Sequence, residues 1–306
     1  MTPLVIAFTP NYFVPAAVTL KSIMDSTASG QYEVICLVTE DIPQRQKDKL
    51  ARLAGDKMRF TYVNLAGKLQ RAYVDPRYSE AASYRLLLPE ILSDHDTVAY
   101  IDCDVIVRND ISEVFEHTDL KNFLLAAVYE APIENQAERW KAIGCDPEHY
   151  FNSGFLIMNL KKMREEKTSE KLIDALHVDY LEFPDQDALN QVCKGQVFPL
   201  PPIYNSIRTF FLPQYKNDFL KHYPAEDWDE VQKHGTIHYT GGKPWNLFTV
   251  EFGEWWKVYR LLPDEVKSEW HPSRKAKALG YIYCTELGRW VMDSLRNVKR
   301  IANHTV

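Results

Sequence analysis

The chain has 306 residues, of which 45% are hydrophobic and 25% charged, as expected for a globular protein with a sizeable core. The length predicts one domain of about 250 residues with a smaller appendage. A net charge of −6 argues against a nucleic-acid partner, because binding to phosphates normally requires a basic surface. The five cysteines form no CxxC pair, and we find neither a signal peptide nor a long apolar span, so we expect a cytoplasmic protein.

The first third of the chain alternates between short apolar runs and helical patterns. Strands are predicted at residues 4–8, 34–38, 58–63 and 97–101, and helices at residues 15–24, 44–53 and 83–92. This alternation predicts an α/β fold with a mostly parallel sheet covered by helices on both faces. Ligands bind to such sheets beyond the carboxyl ends of the strands.

The rest of the chain continues this pattern and then changes. Further strands are predicted at residues 123–128, 154–159 and 236–239, and helices at residues 160–180 and 186–192. From about residue 252 the pattern is helical and aromatic, without strand signals. We therefore expect an α/β domain at residues 1–250 and a helical C-terminal region at residues 251–306.

Two aspartates follow the predicted strand at residues 97–101. In an extended backbone, residues two apart point to the same side, so Asp102 and Asp104 can converge while Cys103 faces the core. Adjacent carboxylates repel each other unless a cation or a shared proton compensates, and oxygen ligands favour Mg²⁺ or Mn²⁺. The alternative is that both aspartates are turn or cap residues, since this motif is short.

A second motif begins at the predicted strand end occupied by His238. A glycine pair follows it, and then Lys243-Pro244-Trp245. Glycines allow a tight loop with exposed amides, and such amides next to a lysine make a seat for a pyrophosphate. Neutral imidazole is also a good Mn²⁺ ligand, so His238 could complete a site with two aspartates. A single histidine at a strand end is, however, usually structural.

Three polar positions accompany these motifs. Asn152 precedes a predicted strand, and Asp185-Gln186 opens a predicted helix. Asp185 is suited to capping that helix or, together with Gln186, to holding sugar hydroxyls. Arg85 lies among leucines, where a guanidinium needs an anionic partner, either an internal carboxylate or a phosphate.

Taken together, these motifs resemble family 8 of the retaining glycosyltransferases, the group that contains bacterial lipopolysaccharide galactosyl- and glucosyltransferases and glycogenin. The resemblance runs from about residue 4 to residue 248 and rests on seven segments: Asn11-Tyr12, Leu20-Lys21-Ser22-Ile23, Tyr84-Arg85-Leu86, Tyr100-Ile101-Asp102-Cys103-Asp104, Tyr150-Phe151-Asn152-Ser153-Gly154, Asp185-Gln186-Asp187-Ala188-Leu189-Asn190 and His238-Tyr239-Thr240-Gly241. Their order and spacing together are specific, although each segment is weak by itself.

The resemblance implies a GT-A fold, a Rossmann-like mixed sheet that binds a nucleotide-sugar. It implies Mn²⁺, or Mg²⁺, held by Asp102, Asp104 and His238. The residues implied for the nucleotide and its diphosphate are Ala7, Phe8, Thr9, Asn11, Asp102, Cys103, Gly241 and Lys243. The residues implied around the transferred sugar are Arg85, Asn152, Asp185 and Gln186.

The implied reaction is transfer of galactose or glucose from a UDP-sugar to a hydroxyl of a glycan or lipid-linked, lipopolysaccharide-type acceptor. Because an amide oxygen is a poor nucleophile, Gln186 favours a front-side mechanism in which the leaving phosphate deprotonates the acceptor. The sequence departs from the family in three places. Thr9 stands where the galactosyltransferases often have an acidic residue and glycogenin-like members have threonine, and the loop from Thr240 to Lys243 is one residue shorter than in the galactosyltransferases. Tyr129-Glu130 replaces the expected acceptor pattern.

The C-terminal tail is basic although the whole chain is acidic. Residues 271–306 contain seven Lys or Arg and two acidic residues, a balance of 7 − 2 = +5. Apolar residues recur there at spacings of three and four, which predicts a basic amphipathic helix from residue 287 to residue 302. Such a helix either lies on an anionic membrane, at the inner face of the cell membrane, or packs on the catalytic domain.

Two other functions compete with glycosyl transfer. A nucleotidyltransferase also uses carboxylates and a divalent metal, but it normally needs a glycine-rich, basic loop after the first strand. That position here is FTPNYFVP, with no glycine and no basic residue. A protein that binds a nucleotide-sugar without transferring it is the second alternative. The intact set of candidate ligands argues against it.

Overall fold

The computed structural model of the protein describes residues 1–28, 30–69, 79–133, 135–177, 181–286 and 288. Its strands are β1 (Thr2–Phe8), β2 (Tyr32–Val38), β3 (Met58–Asn64), β4 (Thr97–Ile101), β5 (Val105–Ile106), β6 (Leu125–Tyr129), β7 (Phe151–Asn159), β8 (Val197–Pro199) and β9 (Ile237–His238).

Helices connect and flank these strands. The α-helices are α1 (Phe13–Ser26), α2 (Gln44–Ala54), α3 (Glu80–Ser83), α4 (Leu88–Ile91), α5 (Ile111–His117), α6 (Gln136–Ala142), α7 (Leu160–Glu165), α8 (Thr168–Ala175), α9 (Pro184–Val192), α10 (Lys216–His222), α11 (Ala225–His234), α12 (Phe252–Leu261), α13 (Asp264–Lys267) and α14 (Arg274–Tyr283). Short 3₁₀ helices lie at Pro10–Tyr12, Tyr84–Leu87, Pro202–Tyr204, Arg208–Phe211 and Pro213–Tyr215.

Seven strands form one sheet in the order β3-β2-β1-β4-β7-β6-β8. All of its neighbours pair in parallel except β7, which is antiparallel to both β4 and β6. The predicted mostly parallel α/β sheet is therefore confirmed, with β7 as its reversed strand. Because β7 runs the other way, its first residues lie at the same edge of the sheet as the last residues of β1, β4 and β6.

The two faces of the sheet bury separate hydrophobic clusters. One face packs against α1 and α12, with Val14, Leu20 and Trp255 among its buried residues. The opposite face packs against α7, α8 and α9 and buries Leu160 and Leu189. Helices on both faces explain why the central strands are apolar throughout instead of alternating with polar residues.

Two predicted helices are broken in the structure. The predicted helix at residues 160–180 is interrupted by Lys167, whose φ of 52° lies in the left-handed region and ends the regular hydrogen bonding between α7 and α8. The predicted helix at residues 83–92 is instead α3, a 3₁₀ turn and α4, with Pro89 in the first turn of α4. Proline has no N–H to donate, so it fits a first turn but not the interior of a continuous helix.

The helices that follow residue 251 extend the larger of these two clusters. Trp255, Trp256 and Tyr259 of α12 are buried in the cluster that contains α1, and Glu265 and Glu269, in and just after α13, form ion pairs with α2. The prediction of a helical, aromatic C-terminal region is thus met at residues 252–286. The predicted amphipathic helix at residues 287–302 lies outside the described residues, apart from Gly288. In the part of the chain that is described, no helix has the length and apolarity needed to cross a membrane.

Candidate active site

Asp102 and Asp104 lie at the sheet edge where β4 ends. The N–H of Asp102 donates to the carbonyl of Gly154 at 2.9 Å, which ties the aspartate to the first residues of β7. Between the two aspartates, the buried thiol of Cys103 donates to the carbonyl of Ala7 at 2.9 Å. The prediction that Cys103 faces the core while the two carboxylates converge on the other side agrees with this geometry.

His238 is brought to the aspartates by a two-stranded ribbon. β5 follows Asp104 directly and pairs antiparallel with β9, so that Val105 stands opposite His238. The Nε2 atom of His238 lies 3.4 Å from Asp104 Oδ1 and 3.8 Å from Asp102 Oδ2. Residues separated by more than 130 positions in sequence therefore share one site.

These three side chains can hold a divalent ion. Each offers one ligand atom, and the three atoms lie within 4.8 Å of one another. Ligands about 2.1 Å from a common ion lie at most about 4.2 Å apart, so a small contraction would complete the coordination. Two carboxylate oxygens and one imidazole nitrogen match Mn²⁺ or Mg²⁺ better than a thiolate-binding metal.

Gly154 gives the histidine its space. A Cβ atom at this position would lie 2.1 Å from Cε1 of His238 and 3.0 Å from Oδ2 of Asp102. Only a residue without a side chain lets β7 pass so close to the cluster. The glycine therefore shapes the cradle in which the three candidate ligands meet.

Arg85 is engaged by internal carboxylates. Its guanidinium is buried, 2.8 Å from Asp102 Oδ1 and 3.2 Å from Asp185 Oδ2, and it lies over the ring of Tyr100. It also donates to the hydroxyl of Ser153 at 3.0 Å. The anionic partner that the sequence left open is thus a pair of aspartates, and Arg85 holds them in position.

Lys243 contacts the cluster directly. Its ammonium group pairs with Asp104 Oδ2 and donates to the carbonyl of Tyr239 at 2.8 Å. Burial alone would raise the pKa of Asp104, but the positive charge of Lys243 holds it well below its usual range. Asp104 is therefore ionised at neutral pH. Gly241, with φ of 99°, makes the turn that carries Lys243 back to the aspartate.

A buried network of polar side chains adjoins the cluster. Gln186 accepts at Oε1 from the amide of Asn152 at 3.0 Å and from the backbone of Ser153 at 3.1 Å. Its Nε2 donates to Glu130 at 3.2 Å and to the hydroxyl of Tyr150 at 3.0 Å. Both ends of the Gln186 amide are therefore fixed. Burial raises the pKa of Glu130 to about 7, although Asn152 and Gln186 donate to it.

Asp185 is not the cap of its helix. α9 begins at Pro184, its N-cap is Phe183, and Asp185 lies in the first turn. The capping interpretation is therefore wrong. The carboxylate instead faces Arg85, and burial raises its pKa while Arg85 opposes that rise.

The end of β1 lies next to the aspartates because Ile6 pairs with Ile101. Ala7 and Phe8 are buried there, whereas Asn11 is exposed on the following 3₁₀ turn, whose cap is Thr9. Tyr12, for which the sequence predicts no role, stands edge-on to Trp245 of the loop after β9, with ring centroids 5.7 Å apart. The 3₁₀ turn after β1 and the loop after β9 thus face each other beside the two aspartates and His238.

Two further residues of the site are not predicted from the sequence. Glu130, which departs from the family pattern, accepts hydrogen bonds from both Asn152 and Gln186. Oδ1 of Asn205 lies 3.0 Å from Nδ1 of His238. No local motif marks either of them. Their contacts join positions at least 22 residues apart in the chain.

The model of glycosyl transferase family 8 matches residues 3–248, which include every part of this site. The chain belongs to glycosyltransferase family 8. The resemblance found in the sequence is thereby confirmed. Its cluster of Asp102, Asp104 and His238 falls within the matched residues.

Two curated relatives of this chain illustrate the range of the family. Lipopolysaccharide 1,2-glucosyltransferase of Escherichia coli (strain K12) is 32% identical over 213 residues, which are 66% of this chain and 60% of that protein. General stress protein A of Bacillus subtilis (strain 168) is 32% identical over 189 residues, 59% of this chain and 64% of that protein. Each match spans less than two thirds of the relative's own length.

The fold is that of solved family members. The galactosyltransferase LgtC, crystallised with donor and acceptor sugar analogs, superposes with a TM-score of 0.72 at 26% identity, over 88% of this chain and 100% of that chain. The bifunctional glycosyltransferase WbbM has a TM-score of 0.73 at 22% identity, over 88% of this chain and 51% of that chain. The predicted GT-A fold is therefore confirmed.

Proposed function

We propose that this glycosyltransferase moves galactose or glucose from a UDP-sugar to a hydroxyl of a glycan or lipopolysaccharide-type acceptor, with retention of configuration and with Mn²⁺. The observation that carries the proposal is the convergence of Asp102, Asp104 and His238 beside the buried network around Gln186. The cluster that would hold a metal-bound diphosphate thus adjoins a buried polar network that we assign to the sugar side. Membership of the family supports the nucleotide-sugar donor.

The donor would occupy the edge of the sheet from β1 to β7. We assign the uridine side to residues at the ends of β1 and β4: Ala7, Phe8, Thr9, Asn11, Asp102 and Cys103. Lys243 adjoins the metal cluster, so its positive charge is available to the diphosphate, and the φ of Gly241 turns the loop that carries it. Asn152, Asp185 and Gln186 would face the sugar, while Arg85 fixes the aspartates from behind.

The mechanism follows from what each group can do. When bound, the ion supplies positive charge to the departing diphosphate, and Lys243 adds to it. The amide of Gln186 is neutral and is held at both ends by hydrogen bonds within the protein, so it would lie fixed beside the sugar without attacking it. The leaving phosphate oxygen is then the base that takes the proton of the acceptor hydroxyl on the same face of the sugar.

Residues 1–250 would contain all groups that touch the donor, and the helices at residues 252–283 form a layer on α1 and α2. We propose that the basic tail then holds the enzyme on the cytoplasmic face of an anionic membrane. Exposed Tyr281 and Ile282 near the end of α14 support this, because the tail continues directly from them. A lipid-linked acceptor would lie at the same surface.

A donor screen tests the proposal. Purified enzyme is incubated with UDP-galactose, UDP-glucose and GDP-mannose, with and without Mn²⁺, and release of the nucleotide is measured. We expect Mn²⁺-dependent release of UDP from one of the two UDP-hexoses and calorimetric binding of UDP that requires the ion. Equal turnover after chelation of divalent ions, or preference for the GDP-sugar, would contradict the proposal.

Sedimentation with anionic vesicles tests the membrane contact. Truncation after Pro272 would also remove Ala276 of α14, which is buried, so the cut is better made after Gly288. Residues 289–306 carry four basic and one acidic side chain, a balance of 4 − 1 = +3. We expect the truncated enzyme to lose binding to phosphatidylserine vesicles and to keep its rate on a soluble acceptor. Unchanged sedimentation of the truncated enzyme with the vesicles would show that the tail does not bind the membrane.

A further inference from the structure

Asn205 occupies a central place in the site although the chemistry described so far does not use it. The residue is 0% exposed and lies between two 3₁₀ turns, on a segment that runs beside β9. Backbone hydrogen bonds fix this segment: Thr236 donates to Ile203 at 2.7 Å, and His238 donates to Ser206 at 3.0 Å. The side chain of Asn205 is therefore held in a defined position next to His238.

The amide of Asn205 bridges the two halves of the site. Its Oδ1 lies 3.0 Å from Nδ1 of His238, and its Nδ2 lies 2.9 Å from Oδ1 of Asn152. His238 belongs to the metal cluster, and Asn152 belongs to the network around Gln186. Through Asn205 these two groups share one chain of hydrogen bonds.

The donors and acceptors in this chain of hydrogen bonds can be assigned from the backbone N–H of Gly154. The N–H of Gly154 donates to Oδ1 of Asn152 at 3.0 Å, so this oxygen is an acceptor. The atom of Asn205 that faces the same oxygen must then be its NH₂ group, and its own oxygen must face His238. A carbonyl oxygen only accepts, so Nδ1 of His238 carries the proton. In the neutral ring Nε2 is left with its lone pair, and Nε2 is the atom that faces Asp102 and Asp104.

From this geometry we infer that Asn205 is a positioning residue for the metal site. It fixes the ring of His238 in the tautomer and orientation that a metal ligand requires, and it couples that ring to Asn152 on the sugar side. The inference rests on the proposed metal site. A hydrogen bond to the second ring nitrogen is the general way in which proteins orient histidine ligands, and its loss typically costs ten- to a hundredfold in metal affinity.

Three variants separate this role from a merely structural one. Asn205→Leu has a similar size but neither accepts from His238 nor donates to Asn152. Asn205→Asp keeps the acceptor for His238 and loses the donor. The matched control is Asn159→Ala. Asn159, like Asn205, makes several side-chain hydrogen bonds, but it lies at the opposite edge of the sheet, where it caps α7.

The assay is titration of the folded proteins with Mn²⁺, followed by electron paramagnetic resonance of the free ion. We expect Asn205→Leu to weaken Mn²⁺ binding at least tenfold. Asn205→Asp should bind Mn²⁺ within a few-fold of the wild type. The ratio of its affinity for the UDP-sugar to its affinity for UDP should fall about fivefold, because Asn205→Asp loses the hydrogen bond to Asn152 on the sugar side. Asn159→Ala should bind Mn²⁺ as the wild type does, whatever its melting temperature.

The outcomes are distinguishable. If the wild type binds no divalent ion, the metal site is wrong and this inference falls with it. If the wild type binds Mn²⁺ and Asn205→Leu binds it equally well, or if Asn205→Asp loses as much affinity as the leucine variant, the inference alone is overturned. Should Asn205→Leu not fold, ¹⁵N resonances of histidine-labelled wild type at pH 8 decide. A proton on Nδ1 of His238, identified by the loss of its resonance in His238→Gln, supports the inference, and an Nδ1 atom without a proton overturns it.

Discussion

Substitution of Gly154 by alanine tests whether the cluster depends on the close passage of β7. A single methyl group is added, and the φ of Gly154 lies outside the left-handed region, so the backbone tolerates alanine. The effect is therefore steric. The methyl carbon would lie 2.1 Å from Cε1 and 2.5 Å from Nδ1 of His238.

The size of the effect follows from these distances. Carbon atoms in contact are about 3.5 to 4.0 Å apart, so the ring of His238 must retreat by about 1.5 Å. The ring is 5% exposed and bonded to Asn205, so a retreat breaks that bond and carries Nε2 away from Asp104. Metal ligands tolerate errors of about 0.2 Å. We expect Gly154→Ala to lose about 1–3 kcal/mol of stability and more than a hundredfold in Mn²⁺ affinity and turnover.

The matched control is Gly280→Ala on α14. Its methyl group would lie 2.2 Å from the ring of Trp256, a comparable clash in the C-terminal aromatic cluster. Melting temperatures and Mn²⁺ titrations are measured for both variants. Both should melt at a lower temperature, but only Gly154→Ala should lose the ion. Wild-type Mn²⁺ affinity in Gly154→Ala would refute the steric argument.

Two further substitutions test the charges of the site. Asp104→Asn should abolish Mn²⁺ binding and transfer in a protein that still folds, with a lower melting temperature because Lys243 loses its charged partner. Retained turnover would refute the role of Asp104 as a ligand. Burial raises the pKa of Glu130 from 4.5 to about 7, so its protonated form is favoured by folding. The contribution of protonated Glu130 to the free energy of unfolding is therefore complete below pH 4.5 and is lost as the pH rises through about 7. Glu130→Gln, which keeps the accepting oxygen, should therefore be more stable than the wild type by about 3 kcal/mol at pH 8 and by much less at pH 5. Denaturant unfolding at both pH values measures this, and equal differences at the two pH values would contradict the burial argument.

The sequence predicted the sheet well because its strands are short apolar runs between polar helices. β1, β2 and β4 are almost wholly buried, whereas the edge strand β3 is largely half-buried or exposed; the predicted bounds of all four strands agree with the structure within two residues. The helices at residues 83–92 and 160–180 were predicted as continuous because their apolar residues keep helical spacing. What interrupts the second of these is the backbone of Lys167, which no side-chain pattern encodes.

The site was predicted only where its residues form local motifs. Asp102 and Asp104 share a strand end, and His238 stands before a glycine pair, so each carries a signal in its neighbours. Asn205 and Glu130 carry none, because their roles depend on partners brought together by the fold: His238 is 33 positions from Asn205, and Gln186 is 56 positions from Glu130. A buried polar residue of this kind becomes interpretable only when its hydrogen-bond partners are known.

The arrangement of charges explains how two aspartates lie side by side before an ion binds. Asp102 uses Oδ1 to accept from Arg85 and from the hydroxyl of Tyr100, and Asp104 uses Oδ2 to pair with Lys243. Each carboxylate is thus neutralised through one oxygen, while its other oxygen faces Nε2 of His238. An arriving cation therefore meets two oxygens and a nitrogen lone pair that are already turned towards it and needs to displace none of these partners. The positively charged side chains of Arg85 and Lys243 keep the two carboxylates in position. Binding of the ion therefore requires little reorganisation of the site.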